Sequence, residues 1–116
     1  MNNRETELRQ ELENILQILI KEYAPEKIIL FGSLANNTVQ EWSDLDVVIV
    51  KNTPKPFLQR LRDVALCCRP RVGVDFLVYT PDEFAKMIGD GNPFIVEEVL
   101  GRGKVLYESR PGSTMA

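Results

Sequence analysis

The chain contains no histidine in 116 residues. That absence removes Ser-His-Asp and Cys-His catalysis and His-ligated zinc before any motif is sought, so acid, base and metal-ligating work falls mostly to carboxylates. Cysteine is nearly as scarce. Cys67 and Cys68 are neighbours in a segment with a helical pattern, where a disulfide between them would be badly strained, so both read as reduced core thiols. Long apolar runs are missing as well: none exceeds five residues, against the roughly 20 that span a bilayer. Met1 to Asn14 is polar with charges of both signs, so neither a signal peptide nor a membrane span is expected, and the expected location is the cytoplasm. A basic excess is lacking too. With 14 Lys plus Arg against 17 Asp plus Glu, the net charge is -3, which argues against duplex DNA as a partner, because such binding rests on clustered basic surface.

What is present suffices for one domain. The apolar residues Leu8, Leu12, Ile15, Leu16, Leu19 and Tyr23 recur at spacings of three and four, predicting an amphipathic helix from Glu5 to Tyr23 that Pro25 ends. Lys27 to Phe31 is a β-branched apolar run stopped by Gly32 and reads as a buried strand. Ser33 to Ser43 is polar and predicts a turn with room for a short helix. Asp44 to Val50 is a second strand. Thr53 and Pro54 then open a helix through about Cys68, with Leu58, Leu61, Ala65 and Cys68 on one face. Val72 to Tyr79 is a third strand, and Thr80, Pro81 and Glu83 combine an N-cap, a first-turn proline and a capping-box glutamate. Asn92 and Pro93 repeat that signal for a last helix to Leu100, closed by Gly101, before a short strand from Lys104 to Tyr107. The second strand follows the first after only about a dozen polar residues, which is not the alternation of a doubly wound parallel fold. The expected class is α+β: a small mixed β-sheet with helices packed against it, residues 1–108 forming the single domain and 109–116 a loose tail.

Asp44 and Asp46 flank Leu45 at the mouth of an apolar strand, and residues i and i+2 of a strand share a face. At a separation of ~6.6 Å and an effective dielectric of about 20, two carboxylates there repel by roughly 2–3 kcal/mol. A hard divalent cation offsets this directly; solvation at a strand entrance is the plainer alternative. Asp75 lies inside the run Val74, Phe76, Leu77, Val78, where an unpaired charge is expensive. It either pairs with an arginine such as Arg71 or, if its strand lies beside the second one, joins Asp44 and Asp46. Gly32 and Ser33 end the first strand in a turn that admits close backbone approach and offers N–H groups and a hydroxyl to an anion.

Taken together, glycine, serine, ten residues from Leu34 to Ser43, then Asp44, Leu45, Asp46 and a later aspartate resemble the minimal nucleotidyltransferases of the DNA polymerase beta superfamily, especially the antitoxins paired with helical HEPN toxins. The resemblance spans about Leu12 to Glu108. It implies the polymerase beta-like fold, two Mg2+ ions (or Mn2+) held by Asp44, Asp46 and Asp75, and the terminal phosphates of ATP held by Gly32 and Ser33. In that implied scheme Asp75 also orients or deprotonates the attacking hydroxyl. Many relatives carry arginines and a glycine soon after the Gly-Ser pair; here Leu34, Ala35, Asn36 and Asn37 stand instead.

The activity implied is transfer of AMP to a hydroxyl, with a tyrosine of a cognate HEPN-type toxin as acceptor. A chain this short has no helical domain of its own to hold the acceptor, so a partner chain is expected to supply that surface. Two other readings stay open: a homodimeric enzyme acting on small molecules, and an antitoxin that neutralises by contact alone. Arg60, Arg62, Arg69 and Arg71 stand close together with the single acid Asp63 and are read as a solvated helix face. Trp42 either stacks on a base or packs over the sheet edge.

Overall fold

A computed structural model describes residues 3–109. Helix α1 (Asn3–Ile18) buries Leu8, Leu12 and Ile15, the stripe its spacing predicts, and widens into a π-wound turn over Leu19–Tyr23. Ala24, with φ of 53°, closes that turn by donating its N–H to the Leu19 carbonyl. The chain then runs through β1 (Lys27–Phe31), α2 (Ser33–Asn36), β2 (Leu45–Val50), α3 (Phe57–Cys68), β3 (Val74–Tyr79), α4 (Pro81–Gly89), a π-wound α5 (Phe94–Gly101) and β4 (Lys104–Glu108). Among the described residues no helix is long and apolar enough to cross a membrane.

The four strands form one mixed sheet in the order β3-β2-β1-β4. β1 is antiparallel to both β2 and β4, and β2 is parallel to β3, as the α+β reading requires. Helices cover both faces, so inner-strand residues of either parity are buried: Ile28, Ile29, Val47, Val48 and Ile49 are fully enclosed. At about 1.5–3 kcal/mol for each large aliphatic side chain removed from water, this doubly covered pair of strands is the main source of cohesion. On one face Ile28, Leu30, Val47, Ile49 and Val78 pack with α1, α2 and α3. On the other, Ile29, Phe31, Val48 and Val50 pack against Phe84 of α4 and Ile95 and Val99 of α5.

Several local expectations change. Helix α3 starts at Phe57 and not at Thr53-Pro54, because Pro56 disfavours helical backbone at Lys55 and itself takes the N-cap with ψ of 156°. Its buried residues are Arg60, Val64 and Cys68, while Leu58 is 76% exposed. Arg60 therefore does not belong to a solvated face. It reaches through the layer, donating to Glu83 at 2.7 and 3.1 Å, to the Val78 carbonyl at 3.1 Å and to the Lys55 carbonyl at 2.7 Å. Both cysteines are free thiols; burial raises that of Cys68 to about 12, which makes it inert. Trp42 does not pack over the sheet edge but is 78% exposed. At the end of the domain, Ser109 is still tied in through its N–H to the Glu26 carbonyl at 2.8 Å; the remainder of the expected tail, 110–116, lies outside the described residues.

Candidate active site

Asp46 has two cross-strand neighbours. On one side it faces Asp75 of β3, and on the other it faces Phe31 of β1, the residue before Gly32. The parallel pairing of β2 with β3 thus brings together two of the predicted aspartates. The antiparallel pairing with β1 delivers the Gly-Ser turn to the same sheet end. Gly32 has φ of 79° and ψ of -157°, a conformation essentially confined to glycine. A side-chain carbon on it would collide with the Asp46 carboxylate. Ser33 opens α2, held by the bond from the Asn36 N–H to the Gly32 carbonyl at 3.0 Å. Leu34 and Ala35, which begin the spacer, are buried in the core, so these positions serve packing.

Asp46 is half-buried, and its carboxyl is raised to about 7, first by desolvation, then by a hydrogen bond with the Asp75 side chain, and further by the charges of Asp75 and Asp44. Two carboxyls in hydrogen-bond contact share a proton unless a cation replaces it. Asp75 itself is exposed, because β3 is an edge strand and Asp75 is its second residue. The cost anticipated for a charge inside an apolar run does not arise, and no ion pair from Asp75 to Arg71 or another cation is found among the described residues.

Asp44 stands just before β2, close enough for its charge to raise the Asp46 carboxyl, and has partners of its own. Its Oδ1 meets Arg4 Nη2 at 3.3 Å, and its carboxylate lies over Gly73, where a side-chain carbon would come within 2.6 Å of Oδ1. Among the described residues no three carboxylates or thiols stand as a closed metal cage. The donor set is nevertheless hard oxygen throughout, with the raised Asp46 carboxyl in contact with Asp75 at its centre. Such a pair fits a divalent cation such as Mg2+, which takes one or two carboxylates and completes its shell with phosphate and water.

A cleft of about 540 Å³ opens around the β3 edge, lined on the carboxylate side by Phe31, Asp46, Asp75, Leu77 and Phe94. Phe31 and Phe94 meet edge to face, their centroids 5.3 Å apart, and stiffen that wall. Gly73, Arg4 and Phe94 were not singled out by the sequence reading. Gly73 had a signal, a glycine just ahead of a strand, whereas Arg4 sits among ordinary charged helix residues with no local mark.

Residues 12–68 match the family model described as a nucleotidyltransferase domain, a segment that includes Gly32, Ser33, Asp44 and Asp46. A Methanocaldococcus jannaschii protein, named provisionally as a protein adenylyltransferase, is 41% identical over 88 residues; the match covers 70% of this chain and 57% of that relative, so the chain spans little more than half its length. Among solved structures, a provisionally named nucleotidyltransferase from Sulfolobus solfataricus matches with a TM-score of 0.66 and 16% identity over 92% of this chain and 86% of its own. A toxin–antitoxin structure with AMP-PNP matches with a TM-score of 0.54 and 17% identity, over 89% and 77% of the two chains. A mutant of the toxin–antitoxin MntA-HpeT gives 0.50 and 17%, over 89% and 76%. At such identities the three structures speak to the fold, which they share with the mixed sheet and helices found here. The nucleotidyltransferase-domain match therefore falls on the segment that carries the Gly-Ser turn and the Asp44–Asp46 pair, and the 41% identical relative is likewise named for nucleotide transfer.

Proposed function

We propose that this protein is a divalent-cation-dependent nucleotidyltransferase that moves AMP from ATP to a hydroxyl of a partner protein, residues 1–108 acting as a single minimal domain. One observation carries the reading: Asp46 and Asp75 face each other across β2 and β3 beside the Gly32–Ser33 turn. In it, Asp44, Asp46 and Asp75 hold two Mg2+ ions, with Mn2+ as a substitute. Bound there, the ions supply charge neutralisation at the attacking and leaving oxygens of an in-line displacement. Gly32 lets the triphosphate approach the backbone, and the Ser33 hydroxyl and the amides of the turn donate to its terminal phosphates. Asp75, exposed on the edge strand, orients the acceptor hydroxyl and takes its proton as the oxygen bonds to the α-phosphorus. The bond from that phosphorus to the bridging oxygen breaks, and pyrophosphate leaves.

The acceptor we assign is a tyrosine of a HEPN-type toxin, silenced by the modification, which makes this chain an antitoxin. The relative named provisionally as a protein adenylyltransferase and the fold shared with toxin–antitoxin structures support that choice. So does the cleft: it lies open around a sheet edge, where a nucleotide base would stay largely in water and bind weakly without a second chain to cover it. The experiment is intact-mass analysis of the product of the neighbouring gene after incubation with this protein, Mg2+ and ATP. The expected result is the gain of one or more AMP units, absent with Asp46→Asn. An unmodified toxin held in a tight complex would instead identify an antitoxin acting by contact, and modification of a small molecule by this chain alone would identify a homodimeric small-molecule enzyme.

A further inference from the structure

The Asp44 carboxylate is held from two sides. On one side Arg4 spans two acceptors on consecutive residues, its Nε donating to the Ser43 carbonyl at 2.8 Å and its Nη2 to Asp44 Oδ1 at 3.3 Å. Arg4 Nη1 also faces Glu7 Oε1 at 3.5 Å. On the other side lies Gly73, whose carbonyl accepts the Leu45 N–H at 3.0 Å. A side-chain carbon at Gly73 would stand 2.6 and 2.9 Å from the two Asp44 oxygens, so the bare α-carbon is the seat of the carboxylate. Ser43 between them is buried, and its hydroxyl accepts the Gln40 N–H at 2.8 Å. The grip is therefore applied to a rigid stretch of chain.

An aspartate at a loop-to-strand junction, half exposed as Asp44 is, would otherwise sample several staggered rotamers. Helix α1 is seated on the core by Leu8 and Ile15, which are fully buried. The guanidinium is partly buried, with 21% of its side chain exposed, and its planar fork suits two acceptors where a lysine ammonium would serve one. Arg4 also lies outside the segment 12–68 that the family model matches.

We infer that Arg4 is a positioning residue: with Gly73 as the opposing wall, it fixes the Asp44 carboxylate in the orientation that receives a divalent cation. This rests on the cation reading of the site given above. Because the contact is a two-point hold, orientation and not net charge is the quantity it supplies.

The test uses the full chain without nucleotide and Mn2+ alone as probe, with free Mn2+ followed by electron paramagnetic resonance in wild type, Arg4→Lys, Arg4→Ala and Asp44→Asn. Loss of a group that orients a metal ligand costs about 10–100-fold in affinity, so both Arg4 variants are expected to bind Mn2+ at least about tenfold more weakly while unfolding thermally close to wild type in EDTA. Wild-type affinity in Arg4→Lys with altered affinity in Arg4→Ala would mean that charge alone matters and would overturn the positioning role. Weakened binding in Asp44→Asn with neither Arg4 variant affected would also overturn it. Wild-type binding in all three would remove the cation reading itself, and the role of Arg4 with it.

Discussion

The Asp46 carboxylate occupies the space that a side chain at residue 32 would need, so Gly32 and Asp46 form one fitted unit across β1 and β2. Gly32→Ala is expected to be destabilised by about 1–3 kcal/mol through its backbone conformation alone, read by urea unfolding. By pushing the Asp46 carboxylate aside it should also lower nucleotide transfer by about 100-fold, the scale of a 1 Å misplacement of reacting groups.

Asp46→Asn carries a pH signature in the cation-free protein. The folded-state carboxyl is raised from 3.8 to about 7, so the folded state holds its proton more tightly than the unfolded chain. The stabilisation from this group is therefore complete below about pH 4 and lost as pH rises through about 7. In EDTA, wild-type stability should fall across that window while the Asn variant stays flatter and becomes the more stable of the two at pH 8. Added Mg2+ should raise the wild-type melting temperature more than the variant's, and thermal scans from pH 4 to 8 with and without the cation check both statements.

Ser33→Ala should be mild. The turn retains its backbone amides, and one neutral hydrogen bond is worth about 0.5–1.5 kcal/mol. The KM for ATP is expected to rise about 2–10-fold with kcat little changed, in steady-state transfer assays with the proposed toxin acceptor.

Glu83 tests the scaffold. It accepts two bonds from the buried Arg60 and one from the Thr80 N–H at 2.9 Å, and these partners, Arg60 first, hold its carboxyl below the usual 4.5. A depressed folded-state value gives stability that is present above the unfolded value and lost as pH falls through the folded one. Glu83→Gln should therefore lose about 1–2 kcal/mol at pH 7, discounted for the 45% exposure of the side chain, and show a shallower acid limb than wild type in pH-dependent unfolding.

Elements set by local chemistry were legible in the sequence. β1 has the bounds its apolar run and Gly32 indicate, and Thr80 with Glu83 makes the capping box that its spacing announces. The meeting of Asp46 with Asp75 was harder to read, because it depends on which strand lies beside β2, a property of the sheet and not of either segment. The same reason explains the misjudged surroundings of Asp75: apolar neighbours in sequence do not reveal that β3 is an edge. Arg60 looked like a surface arginine because its partner Glu83 and its carbonyl acceptors come from other elements. Gly73 and Arg4 act on Asp44 only through space, one from the turn before β3 and one from the far end of the chain.

The two coats of the sheet are unequal. Among the described residues, fifteen buried ones form the cluster under α1, α2 and α3, against seven in the cluster under α4 and α5. Asp46 and Asp75 alternate with Val48 and Leu77 on the thinner side. Local opening costs least where least apolar surface is released, so amide hydrogens of α4 and α5 should exchange with solvent before those of α1 and α3. The carboxylates thus sit on the more thinly covered flank of the sheet, where the covering helices can yield without the strands that carry the aspartates giving way.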